Sequence, residues 1–307
     1  MIHDVVGALY LFWPVTILGA ILFFIAGILF AISVGSLLLL GMLMAYYAYI
    51  YAKKQGFFTW LQAKNKLVGE ALARNVRETF ILKGNQVSPE GPVMYVAHPH
   101  GLFSMAPFLH WAAQVTEWSS ERPVRIAIHS IFFQIPFVRE ICEHFGAVEA
   151  TEEEIRKVLE SGESVAILTG GVQEISLTEP GKMILVLKKR RGFARLAKEL
   201  RVPIVPVLTF GENELFPPIT GFWTNWVQTY LRKIFGISIP VPTWTSLKNW
   251  FRLLKGPLPG KVETWIGEPV ETAKIHTETI RAHVVKAFEK LYAEGRPSGY
   301  PLHMEIH

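Results

Sequence analysis

The sequence predicts an α/β domain, a sheet with flanking helices, preceded by an apolar helical hairpin at a membrane. Three observations predict it. No Asp, Glu, Lys or Arg occurs from Val5 to Ala52, a run of 48 residues. From Pro92 onward, short apolar runs alternate with segments of helical periodicity. Hydrophobic residues make up 50% of the 307-residue chain and charged ones only 19%, below the usual quarter.

A bilayer-crossing helix needs roughly 20 apolar residues, so the uncharged run is long enough for two spans. They fall near residues 8–29 and 33–51, with Gly35 and Ser36 at the turn. Aromatic residues sit at the outer ends: Tyr10, Phe12 and Trp13, then Tyr46, Tyr47, Tyr49 and Tyr51. Lys53, Lys54, Lys64 and Lys66 follow, and the positive-inside rule keeps that flank cytosolic. The run has no basic leader and is too long for a signal peptide. Two full spans and a hairpin dipping into one leaflet are both open. Residues 1–54 thus form a membrane hairpin, 55–90 a linker with an amphipathic helix over 57–80, and 91–307 the main domain.

Within that domain, Val93–Ala97 reads as a strand ending in the turn His98-Pro99-His100-Gly101. Val124–His129 is a second strand. Thr151 caps a helix, with Glu154 three residues on. Ser164–Leu168 is a strand ending in Gly170-Gly171, and Met183–Leu187 another. Arg190–Leu200 is an amphipathic helix. Val202–Phe210 is a buried strand broken by Pro203 and Pro206, Val262–Ile266 a late strand, and Glu278–Leu291 the last helix. The stretch 217–260 has no acidic residue but carries Trp223, Trp226, Trp244 and Trp250 with five Lys or Arg, a composition suited to a membrane interface.

Composition excludes several classes. Cys142 is the only cysteine, so no intramolecular disulfide framework or Cys-based zinc site exists. No Walker loop, G-x-S-x-G elbow, H-E-x-x-H or G-x-G-x-x-G is present. The net charge of +5 suits anionic lipid or a polyphosphate ligand. No nucleic-acid partner, metal or resident cofactor is expected.

Histidine is the natural base near neutral pH, and a strand end presents side chains to a cleft. Either His98 or His100 could face that cleft. Gly101 permits close backbone approach, and the Gly170-Gly171 amides could hold an oxyanion or a phosphate. Glu174 could orient a protonated histidine or bind an arginine. Lys188, Lys189, Arg190 and Arg191, continuing to Arg195, invite an anion such as the phosphates of coenzyme A. Glu212 and Asn213, after the proline-broken strand, line the same cleft in this reading.

Five blocks stand in one order: HPHG at 98–101, FQIPFVR at 133–139, GGVQE at 170–174, RRGFARLA at 190–197 and VPIVPVLTFGENELF at 202–216. In this the chain resembles the type-2 diacylglycerol acyltransferase family, which includes monoacylglycerol and wax-alcohol acyltransferases. The resemblance covers roughly residues 90–270 and the apolar hairpin. It implies a glycerolipid-acyltransferase-like sheet and transfer of a fatty acyl group from acyl-CoA, a substrate, to diacylglycerol or another lipid alcohol. It implies His100 as base, Glu174 as its acidic companion, and Arg139 with the basic run as acyl-CoA or lipid contacts. It also implies the endoplasmic reticulum membrane, a cytosolic catalytic face and the lipid-droplet surface. The wider fold pairs its His with an Asp five positions on, where this chain has Met105. A non-catalytic lipid-binding protein is the competing class, and homo-oligomerisation stays open.

Overall fold

In the computed structural model, the described residues are 19, 21–29, 41, 43–44, 75–84, 90–102, 104–112, 124–135, 138–235, 241–253 and 255–307. Most of the expected hairpin and of the linker helix lies outside them. Residues 21–29 are helical, and Ile21 packs against Val138 and Cys142. No helix among the described residues is long and apolar enough to cross a membrane.

The strands are β1 (Phe80–Gly84), β2 (Met94–His98), β3 (Val124–Ile128), β4 (Val148–Glu149), β5 (Ser164–Ile167), β6 (Ile184–Leu185), β7 (Ile204–Phe210), β8 (Val262–Ile266) and β9 (Glu305–Ile306). Seven of them form one sheet in the order β1-β8-β7-β2-β5-β3-β4. Every pairing in it is parallel except that of β7 with β8. One expectation is corrected here. Phe80 opens a strand rather than closing a helix, so the sheet draws on residues ahead of the expected boundary at 91. The run at 183–187 does not join the main sheet; β6 pairs with β9 instead.

The helices are α1 (Met105–Pro107), which runs on into a π turn (Phe108–Ala112), then α2 (Val138–His144), α3 (Glu152–Glu160), α4 (Gly171–Leu177), α5 (Gly192–Leu200), α6 (Glu212–Leu215), α7 (Phe222–Phe235), α8 (Trp244–Leu253) and α9 (Thr277–Gly295). At α3, Thr151 Oγ1 accepts the Glu154 amide at 3.3 Å, as its spacing predicts. The Glu154 carboxylate turns instead to Lys157, 2.8 Å away, so the capping box is half formed.

All five residues of β2 are buried, as expected for a parallel strand covered on both faces. Tyr95 and Ala97 join the core under α8, with Val205, Val262 and Trp250. Met94 and Val96 join the opposite core under α5 and α9, with Phe193 and Phe288. The period of two sends His98 to the α9 side, where its ring meets Phe288 edge-on at 5.2 Å.

Candidate active site

The site gathers at the ends of β2, β5 and β7 around the buried carboxylate of Glu174. That residue lies on the first turn of α4 and is 1% exposed. Its Oε1 accepts the His100 backbone N–H at 2.5 Å. Its Oε2 accepts the Val186 N–H at 3.1 Å and lies 2.7 Å from His98 Nδ1. A carboxylate oxygen only accepts, so His98 Nδ1 donates. His98 Nε2 lies 2.7 Å from Thr169 Oγ1. Three donors from two segments, the turn after β2 and the residue after β6, therefore converge on one side chain.

This geometry corrects two readings. His98 is not a base: both ring nitrogens are committed and its side chain is fully buried. Nor does Glu174 hold the His100 imidazole; it holds the His100 main chain. His100 itself is half-buried. Its Nδ1 lies 3.2 Å from Ser104 Oγ and 3.3 Å from Gly101 O. Desolvation pulls its pKa below the ordinary histidine value, and the Glu174 charge offsets part of that.

The glycines do different work from that expected. A Cβ on Gly170 would stand 1.8 Å from Glu174 Oε2, so Gly170 makes room for the carboxylate. The Gly171 N–H bonds to Leu168 O at 3.1 Å and is committed elsewhere than to an oxyanion. Gly101 has φ +60, a conformation glycine adopts at no cost, and faces Glu212 and Asn213. Asn213 Oδ1 is buried without a hydrogen-bond partner. Glu212 reaches back from α6 and accepts the Met105 N–H at 2.8 Å and the Ala106 N–H at 3.0 Å. Burial lifts its pKa to about 7 against the pull of those two bonds.

The basic residues divide. Arg190 Nη2 donates to Gly170 O at 3.2 Å, bracing the glycine turn beside the site. Arg195 pairs with Glu152 and Arg191 with Glu278, the latter at 3.4 Å. Arg139 pairs with Glu143 at 2.7 Å on α2, one turn along the same helix. The cation run is thus partly neutralised by carboxylates distant in sequence. Lys188 and Lys189 are exposed, two and three residues past the Val186 amide. Met105, standing where an Asp partner is found in the wider fold, is buried, and its Sδ accepts the Trp250 indole N–H at 3.0 Å. Sequence reasoning missed Ser104, Thr169 and the capping role of Glu212. A serine just ahead of a helix was the one signal available.

Known proteins resemble this chain over most of its length. The family model for diacylglycerol acyltransferase matches residues 27–295. The chain is 28% identical over 232 residues to diacylglycerol O-acyltransferase 2 of Dictyostelium discoideum, covering 73% of this chain and 69% of that one. It is 30% identical over 234 residues to diacylglycerol O-acyltransferase 2-like protein 6 of Mus musculus, covering 69% and 68%. Acyl-CoA wax alcohol acyltransferase 2 of Homo sapiens is 31% identical over 225 residues, covering 70% and 66%. Among solved structures, the 1-acyl-sn-glycerophosphate acyltransferase PlsC of Thermotoga maritima overlays 83% of this chain and 96% of its own, with a TM-score of 0.47 at 18% identity. The protein is an O-acyltransferase. The chain belongs to the diacylglycerol acyltransferase family. The non-catalytic alternative is set aside.

Proposed function

We propose that the protein transfers a fatty acyl group from acyl-CoA to diacylglycerol at a membrane surface, with His100 as general base. The carrying observation is that one buried carboxylate, Glu174, fixes the His100 backbone at the end of β2 while the residue itself stays only partly buried. A thioester is already activated, so the harder task is to make a neutral hydroxyl nucleophilic. His100 removes the alcohol proton as the oxygen attacks the thioester carbonyl carbon. The resulting oxyanion is met by backbone N–H groups, of which Gly101 is the candidate. Collapse expels the CoA thiolate, which takes the proton from the imidazolium, giving ester and free thiol. Proton transfer of this kind contributes ~10²–10⁴-fold.

Lys188 and Lys189 are placed to meet CoA phosphates in this reading. Exposed Trp226, Tyr230 and Trp244, on an acid-free stretch, support contact with lipid. The apolar N-terminal run supports anchoring at the endoplasmic reticulum membrane, the domain facing the cytosol, with the lipid-droplet surface as a second site. The similarity to proteins named for wax alcohol and 2-acylglycerol favours keeping those acceptors in view.

Product analysis in lipid nanodiscs with labelled acyl-CoA tests this. Triacylglycerol is expected from diacylglycerol, and His100→Ala is expected to form none. Retained turnover by His100→Ala overturns the base assignment; a wax ester or diacylglycerol as main product overturns the acceptor.

A further inference from the structure

Among the described residues no carboxylate is hydrogen-bonded to the His100 ring, and the side chain that is lies four residues on. Ser104 has φ 51 and ψ 45, a left-handed conformation disfavoured for any residue with a Cβ. Two contacts hold it there. Glu212 takes the N–H of the next residue, Met105, and Ser104 O accepts the Phe108 N–H at 3.2 Å. The Ser104 hydroxyl does not cap α1. It turns back toward His100.

The hydroxyl has one proton. Its Oγ lies 2.7 Å from His100 O, which can only accept, so the proton points there. Its lone pairs then face His100 Nδ1 at 3.2 Å. Gly101 O, 3.3 Å from the same nitrogen, likewise can only accept. Both neighbours of Nδ1 are acceptors, and that assigns the ring proton.

We infer that Ser104 is a positioning residue that holds His100 in the tautomer with the proton on Nδ1, so that Nε2 is the atom that takes the proton from the acyl acceptor. This rests on His100 being the base. When Nε2 takes up the proton, the cation is met at Nδ1 by two neutral oxygens, and the Glu174 charge acts through space. The backbone outlier thereby acquires a purpose: strained residues concentrate where geometry is functional. The left-handed turn is what swings a serine hydroxyl under its own neighbour's ring.

Three measurements on the full chain test it. Ser104→Gly keeps the turn without strain and removes the hydroxyl together with its Cβ. It is expected to melt no lower than wild type, with kcat reduced roughly ten- to hundredfold and KM for acyl-CoA little changed. Ser104→Asp places a carboxylate at Nδ1, favours the imidazolium, and is expected to move the acid limb of kcat/KM to higher pH. Histidine 15N spectra in micelles, with the His100 signal identified by its loss in His100→Ala, are expected to show Nδ1 protonated and Nε2 bare. Wild-type kcat and an unmoved acid limb in both serine variants, or the opposite tautomer, overturns the inference. If His100→Ala is itself active, the base reading falls first; if it is inactive while Ser104→Gly is unaffected, only the role of Ser104 falls.

Discussion

Glu174 concentrates the demands of the site into two oxygen atoms. Its carboxylate accepts from His100 N, Val186 N and the His98 ring at once. An amide of the same shape has one accepting atom and one donating atom, so Glu174→Gln must turn a donor toward a donor. A buried donor left unmet costs about 1–3 kcal/mol. Glu174→Gln is therefore expected to fold with a lowered melting temperature and to lose at least tenfold in kcat, read by thermal denaturation and acyl-transfer assay. The sign of the pH effect at His100 follows from burial. Its pKa lies below the ordinary 6.5, so the base stays neutral, and the enzyme active, further into acid than an exposed histidine would allow. The acid limb of kcat/KM should accordingly fall below pH 6.5; a limb above that value would contradict it. That the HPHG turn and the glycine-pair helix stand side by side was legible from two short motifs, each at a strand end. Which atom of Glu174 serves which partner was not, because the two bonds to the HPHG turn join residues more than 70 apart in the chain.

Elements were legible where local pattern and tertiary role agree. The strand at Val262–Ile266 lies where its residues predict, and the α5 helix ends at Leu200 as expected. Pro206 shows why others were not. A proline removes a ladder donor, so its presence predicts a broken strand. In β7 the strand runs unbroken through it, its carbonyl still bonded to the neighbouring chain just past the end of β8. Ile204 bonds Val270 on that side, β8 stops at Ile266, and Gly267 N donates to Pro206 O at 2.9 Å. The C-terminal β9 was invisible for the opposite reason: two residues carry no periodicity. It fixes β6, and the His307 carbonyl accepts the amides of Leu187 and Lys188 at 2.8 and 2.7 Å. Their neighbour Val186 serves Glu174. Deleting residues 303–307 should therefore reduce kcat severalfold or more while the seven-stranded sheet persists, measured by turnover beside circular dichroism. Unchanged turnover would show that Val186 holds its place unaided.

At the scale of the molecule, the acid-free stretch divides by burial. Trp250 is 1% exposed and packs on Phe216 at 5.9 Å, an ordinary core residue. Trp226 and Trp244 are 58% and 72% exposed, and Trp226 stacks on Tyr230. Composition alone could not separate these roles; the helical phase of α7 and α8 does. Trp226→Ala together with Trp244→Ala is expected to weaken partition onto phosphatidylserine-containing vesicles several-fold, the basic residues leaving a remainder that fades with salt. Sedimentation with vesicles at low and high ionic strength checks both parts.

The pairing of β1 with β8 has a temporal side. Phe80 lies opposite Val262, so about 180 residues must be made before the first strand of the sheet meets its neighbour. At ribosomal speeds of ~5–20 residues per second, that is a wait of roughly 10–40 s. For that interval, the newborn segment just downstream of the apolar run has its hydrogen-bonding edge bare. Stalled nascent chains ending before 262 should be cut by protease at 80–84, and those released at full length should not.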